Sequence, residues 1–354
     1  MKKCKPTYTA VVAALTLGAI YSGQAMAEDW TDQVTIGGFT SAVYQVTDQA
    51  EHFNGEEGIT EDGSFQGTRM GLNINARLSD KVTMASQFLA IQGEDNYVTH
   101  LDWGFISYAL SEEWTLRAGK IKYPAGIVNE YVAVGTLYPW IAPPTLLYTA
   151  EDSGPQATRE AYTGFSGLWE HSIDDWTVGS DLFFGEVDLG SMIVRKLSGL
   201  TLRADWNEVF QAQATTFSGT MDNPAMAAMD GEKHAATLFG VKMDWNNVIG
   251  LAEWADVDMG SFTAGAGQTW YTTLGYRIDR WMPHVTYQDY EKGLTSMSPQ
   301  EQHMTTYGLK YDLSRNTSLK VEYSTIETEQ GTGLFTGSVD KSANMYGVAI
   351  DVTF

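Results

Sequence analysis

The chain has 354 residues, with 22 Lys and Arg against 44 Asp and Glu, a formal charge of −22, and a single cysteine. Such acidity disfavours nucleic acid as a partner, and one cysteine excludes a disulfide framework. Past a short N-terminal stretch, no apolar run approaches the roughly 20 residues that a spanning helix needs, so any membrane crossing has to be made by strands.

At the N-terminus, Lys2, Lys3 and Lys5 form a basic region, Thr9 to Ile20 an apolar one, and Ala25-Met26-Ala27 a small-residue cleavage site. This is the pattern of a secretory signal peptide over residues 1–27, with the mature chain starting at Glu28 and residues 28–354 forming one domain. Cleavage removes Cys4 and three lysines, leaving 19 basic residues against 44 acidic ones, a charge of −25. A mature protein without cysteine in an oxidising compartment relies on backbone pairing and burial.

Short polar breaks follow along the chain, many of them beside an aromatic: Ser79-Asp80-Lys81, Ser111 to Trp114, Asp174-Asp175-Trp176, Lys196 to Gly199, Trp245-Asn246-Asn247, Asp279-Arg280-Trp281 and Ser314 to Thr317. They predict tight turns. Alternating with them are longer stretches rich in Gly and acids near 48–63, 93–97, 123–159, 186–190, 211–234, 259–267, 291–302 and 328–341. Seven turns and eight loops connect sixteen strands. Short turns at one end and long loops at the other are the signature of a transmembrane antiparallel β-barrel. Trp114, Trp176, Trp245 and Trp281 beside the turns suit an interfacial girdle, against the alternative that they are core residues. The acidic stretch from His52 to Asp62 serves solubility, or holds divalent cations shared with anionic lipid headgroups.

Side chains alternate between two faces of each strand. From Gln66 to Leu78 the outward set includes Met70, Leu72, Ile74 and Leu78, and the inward set Arg69, Gly71, Asn73, Asn75 and Arg77. The same alternation places Arg277 and Lys310 inside, and pairs Arg203 with Asp205, Lys242 with Asp244 and Lys320 with Glu322 on one face. So polar an interior is hydrated, because unpaired ionised groups in an apolar medium each cost several kcal/mol. A barrel of about 16 strands is wide enough for an aqueous lumen.

The third loop, Tyr123 to Arg159, is different. It holds Pro124, Pro139, Pro143 and Pro144 among Ile, Val, Leu, Tyr and Trp, with few charges. Such a loop needs a surface to cover it, so it is expected to fold inward and narrow the lumen, the alternative being a subunit contact. The chain closes on Tyr346-Gly-Val348-Ala-Ile350-Asp-Val352-Thr-Phe354, an amphipathic strand that needs a partner on both edges.

With the terminal Phe354, the signal peptide, the ladder of turns and loops, and Trp114-Thr-Leu116-Arg117-Ala-Gly119-Lys120-Ile-Lys122-Tyr123-Pro124 leading into the third loop, the sequence resembles the outer-membrane porins of Gram-negative bacteria. General-diffusion and phosphate-selective porins are the relevant kinds, although the lysine-rich run of phosphate channels is not evident. The resemblance implies an integral outer-membrane protein, a homotrimer of sixteen-stranded barrels, contact with outer-membrane lipid, recognition of Tyr346 and Phe354 by the barrel-assembly machinery, and an eyelet formed by the third loop.

The expected function is a water-filled channel for passive diffusion of small hydrophilic solutes and ions. Arg69, Arg77, Arg117, Lys120, Lys122 and Arg203 are expected on the basic side of the constriction and Glu130, Glu151 and Asp152 on the acidic side, with Lys242, Arg277 and Lys310 as further lumen charges. The plain alternative for each is a structural ion pair. Other readings are a substrate-specific channel for phosphate or organic acids and an outer-membrane hydrolase. The six histidines have no ligand spacing and no HExxH, GxSxG, P-loop or EF-hand run occurs, so no enzyme activity, metal or cofactor is expected.

Overall fold

The computed structural model describes residues 33–55, 58–92, 97–148, 161–188, 192–294, 296, 299–337 and 342–354. The signal-peptide expectation lies outside them. The described residues form β1 (Val34–Thr47), β2 (Arg69–Arg77), β3 (Val82–Gln92), β4 (Tyr97–Ala109), β5 (Trp114–Lys122), β6 (Ala161–Ile173), β7 (Trp176–Asp188) and β8 (Ile193–Trp206). They continue with β9 (Phe210–Asp222), β10 (Lys233–Trp245), β11 (Val248–Asp258), β12 (Gly267–Tyr276), β13 (Trp281–Lys292), β14 (Gln300–Ser314), β15 (Thr317–Gln330) and β16 (Ser342–Thr353). Each strand pairs antiparallel with its neighbours in sequence, and β16 pairs with β1, closing the barrel. Closure gives every strand a neighbour on both sides, the condition for strands in a medium that offers no hydrogen bonds.

Strands end where the chain can reverse. Asn246 and Asn247 both have positive φ, 48° and 72°, as a two-residue hairpin turn requires, and Asp174 and Asp279 each take 53°. Trp114, Trp176, Trp245 and Trp281 stand beside these turns at 43 to 56% exposure, which excludes a core role. Along the outer wall Ile36, Met70, Leu72, Phe165, Leu182, Tyr307, Val321 and Tyr346 are likewise exposed. They form an apolar band of the kind found on the outside of transmembrane barrels.

One turn falls elsewhere than expected. Lys196 to Gly199 is a bulge inside β8, with Lys196 at φ 53° and a register shift between Arg195 and Ser198. The chain reverses instead at Asn207 and Glu208, with φ 54° and 60°, so much of the segment 211–234 is strand β9 and the loop is shorter. Both sites offer polar residues that tolerate a left-handed backbone, and only strand pairing separates a bulge from a turn. The strand count is unaffected.

At the seam, Phe354 exchanges two backbone hydrogen bonds of 2.9 Å with Gly38. A Cβ on Gly38 would lie 2.5 Å from the Phe354 ring and 2.7 Å from the Gly71 carbonyl oxygen, so only glycine lets the terminal ring lie flat there.

Inside, the wall has two characters. Toward the short turns it is polar, with Asn75, Arg77, Asp205, Asp244 and Arg277. On β7 to β13 above them it turns apolar, with Phe183, Phe217, Leu238, Leu251 and Tyr271 buried in one cluster. Part of the inner face is thus covered by protein.

Candidate functional site

What covers the apolar shelf is the segment from Tyr123 to Tyr148, which contains 3₁₀ turns at Asn129–Tyr131 and Gly135–Leu137. Val128, Trp140, Ile141, Leu146 and Leu147 are at most 2% exposed. Val128, Trp140 and Leu147 share the cluster of Phe183, Phe217 and Tyr271. This burial explains why the loop is apolar, since roughly 1.5–3 kcal/mol accompanies each large side chain taken out of water. Its prolines restrict the unfolded chain and spare backbone donors that strand pairing does not serve here.

Its remaining backbone groups are met one by one from the inner rows of the wall. The Pro124 carbonyl accepts bonds from Thr215 (2.7 Å), Thr201 (3.1 Å) and Gln213 (3.2 Å). Glu253 of β11 takes the Ile127 N–H at 2.5 Å and the hydroxyls of Tyr148 and Tyr271 at 2.5 and 2.6 Å. Burial pushes the Tyr148 hydroxyl well above the ordinary phenol range, with the Glu253 carboxylate acting the same way, so it remains a donor. Further on, Lys320 donates to the carbonyls of Gly135 (2.6 Å) and Trp140 (2.5 Å) while pairing with Asp351 at 2.9 Å. Glu322 accepts the Ile141 N–H at 2.9 Å, and the Trp140 indole donates to Thr286 at 2.8 Å. Gln288 and Thr269 bond both sides of Leu146. Loops from the two chain ends add a cover: Phe53 and Phe335, rings 5.0 Å apart, are buried with Leu146.

Several expected site residues come together on this segment. Arg203 pairs with Glu130 at 2.5 Å, joining wall to loop. Arg69 donates to the Ala133 carbonyl at 2.8 Å and to the Tyr138 hydroxyl. Lys310 donates to the Thr136 carbonyl at 2.8 Å and lies 3.4 Å from Asp312, while Lys242 stands over the Tyr131 ring at 5.6 Å.

The others lie apart. Arg117 pairs with Asp181 at 2.6 Å and Arg277 with Asp244 at 2.6 Å, and Lys122 reaches the buried Asp102 at 3.2 Å. Arg77 is exposed at the turn end of β2, well away from the loop. Glu151 and Asp152 fall outside the described residues. Lys120 contradicts its expected place: it stands opposite Gly104 and Thr163 in the outward row that includes Ile106 and Phe165, and its ammonium bonds the Leu101 carbonyl at 2.7 Å. Three residues from the inward Arg117, it has the opposite parity.

Glu253, Tyr271 and Asp351 escaped the sequence reading, which took Trp140 and Tyr148 only as apolar residues of the third loop. For Glu253 a signal existed, a lone carboxylate in an inner row otherwise made of Ile249, Leu251, Ala255 and Val257.

Residues 9–331 match the family model of the Gram-negative porins. The chain belongs to that family. A search of curated proteins by sequence gives no match. Among solved structures, Salmonella typhi OmpF in complex with daunomycin is similar with a TM-score of 0.64 at 16% identity, over 91% of this chain and 97% of that one. The anion-selective porin from Comamonas acidovorans follows at 0.61 and 14%, over 91% and 99%. The trimer form of Vibrio cholerae OmpT gives 0.57 and 11%, over 91% and 100%. At these identities the likeness is one of fold. This porin is an integral outer-membrane channel for passive diffusion, and family and fold mark a channel rather than an enzyme.

Proposed function

We propose that this porin is a weakly selective general-diffusion channel whose aperture is set by residues 123–148. The observation that carries this reading is the pairing of five inner-wall cations with carboxylates. Arg203 has Glu130, Arg117 has Asp181, Arg277 has Asp244, Lys310 has Asp312 and Lys320 has Asp351. Paired charges leave little net field along the bore, so solutes are sorted by radius before charge.

In this reading Arg69, Arg117 and Arg203 form the basic side of the constriction and Glu130 the acidic side, with Lys242, Arg277 and Lys310 around the bore. The channel works as a homotrimer, and Phe354 with Tyr346, both facing outward, forms the surface read during assembly. Purified protein in a planar bilayer tests the function. The expected result is stepwise ohmic conductance and, across a salt gradient, a reversal potential close to zero. Saturable block of the current by one solute class, such as phosphate or an organic acid, would overturn it in favour of a solute-specific channel.

A further inference from the structure

Of the 14 methionines in the chain, Met192, Met221, Met229 and Met259 are buried in one cluster at the long-loop ends of β8 to β11, each at most 8% exposed. Strand register sets a histidine among them. Ala235 of β10 faces Asp258 of β11, so the next pair along is His234 with Met259, and the Cβ atoms of such a pair stand about 5 Å apart. On its other side His234 pairs with Gly219 of β9, and Met221, two residues on along the same face, is a diagonal neighbour. The chain then folds back, and the Asn223 amide donates to the Met229 sulfur at 3.9 Å. Met192 extends β8 beside this amide, one position past the pair of Ile193 with Asp222. Above Met259 lies Gly265, where a Cβ would collide with the thioether sulfur. His234 itself is 2% exposed, and the Nδ1 of its ring has no hydrogen-bond partner among the described residues. Buried polar atoms are normally paired, so an idle imidazole nitrogen calls for an account.

We infer that His234, Met221, Met229 and Met259 form a site for a soft monovalent cation, Cu(I) or Ag(I), held by one imidazole nitrogen and by thioether sulfurs. Packing alone accounts for methionines, which fill irregular gaps in apolar clusters. It does not account for an imidazole set among them with a ring nitrogen unused. Thioether sulfur is a soft ligand and selects Cu(I) and its heavier congener, whereas hard cations require carboxylate, carbonyl or water oxygens. Among the described residues no three of His, Cys, Asp and Glu gather as metal ligands, so a harder ion finds no comparable set. Charge near the cluster favours a cation as well. The loops carry Asp222, Asp230, Glu232 and Asp258 against Arg195 and Lys233, and Asp230 and Glu232 are fixed by the backbone N–H groups of Asn223 (3.1 Å) and Ser261 (2.9 Å). Met229 lies in the loop after β9 and Met259 in the loop after β11, so a bound ion fastens two loops of the channel mouth to the inner wall.

The test uses the full porin, refolded in mild detergent in chloride-free buffer, with Ag+ as the probe and Zn2+ as its harder counterpart, read by native mass spectrometry and calorimetry. His234→Phe, and Met221→Leu combined with Met259→Leu, remove ligands while keeping an apolar side chain of similar size. Met304→Leu, in the separate cluster of Phe53 and Phe335, is the control. Wild type is expected to bind one Ag+ per chain in preference to Zn2+ and to gain in melting midpoint when it does. Both ligand variants are expected to lose about tenfold or more in Ag+ affinity, and Met304→Leu to lose none. Equal Ag+ binding by wild type and the ligand variants, the result expected of scattered methionines, would overturn the inference. So would Zn2+ held as tightly as Ag+, or no bound Ag+ at all. If His234→Phe gives no heat-modifiable barrel, the paired Leu variant decides, since Leu replaces Met in a core at little cost. Currents recorded without Ag+ are expected to match wild type in every variant, so none of these outcomes bears on the diffusion reading.

Discussion

The hydroxyl of Tyr148 donates to Glu253 at 2.5 Å, and the same carboxylate takes the N–H of Ile127, so one side chain on β11 fastens two points 21 residues apart in the stretch that follows β5. Replacing Glu253 with Ala leaves two hydroxyls and one N–H without their acceptor, at about 1–3 kcal/mol for each group left unsatisfied. Glu253→Ala is therefore expected to free the segment. Single-channel recording should show larger or fluctuating conductance, and a conductance identical to wild type would mean that the clasp does not set the aperture.

Lys320 and Asp351 give a second measurable pair. Both are essentially inaccessible, at 1% exposure each, and breaking such a pair by removing one partner costs about 3–5 kcal/mol. Lys320→Met should destabilise the barrel by that order in a denaturant titration. Lys320→Met combined with Asp351→Leu should recover part of the loss, although the Gly135 and Trp140 carbonyls remain without the ammonium. A double variant as unstable as the sum of the two singles would show no coupling.

Selectivity should respond in opposite directions to the two members of the Arg203–Glu130 pair. Arg203→Ala exposes the carboxylate and shifts the reversal potential toward cation preference. Glu130→Gln exposes the guanidinium and shifts it toward anions. For a half-exposed pair the change corresponds to about 0.5–1 kcal/mol, or about two- to fivefold in permeability ratio.

Lys120 supplies a control within the same strand. Its ammonium lies on the outer wall, so Lys120→Gln should leave the reversal potential unchanged, whereas Arg117→Gln, which strands Asp181 on the inner wall, should move it toward cations. Equal effects from both variants would contradict the assignment of faces.

Gly38 is the place to test closure. A Val side chain there collides with the Phe354 ring and with the Gly71 carbonyl, and backbone cannot yield as a side chain does. Gly38→Val is expected to lower the yield of heat-modifiable barrel on gels, with Gly37→Ala, whose Cβ meets only the Phe354 carbonyl oxygen at 3.2 Å, much milder.

The barrel was legible in the sequence because its determinants are local: parity along each strand, turn residues at one end, and an aromatic at the end of the chain. The bulge at Lys196 was not, because Lys-Leu-Ser-Gly and Trp-Asn-Glu offer the backbone similar freedom and only pairing with β7 and β9 separates them. Lys120 was misplaced although its odd offset from Arg117 was visible. Its basic charge near the loop outweighed parity in the reading, and parity is the stronger constraint. The loop's apolar character announced that it would be covered. Which carboxylates and ammonium groups would fasten it depends on strands more than a hundred residues away in the chain, whose juxtaposition no local pattern encodes.

Asp351 lies on the last strand to be synthesised and Lys320 on the one before it, yet together they fasten a loop that belongs to the first half of the molecule. The β15–β16 hairpin therefore carries, besides its own pairing, an anchor for residues 135–140 some 180 positions earlier in the chain.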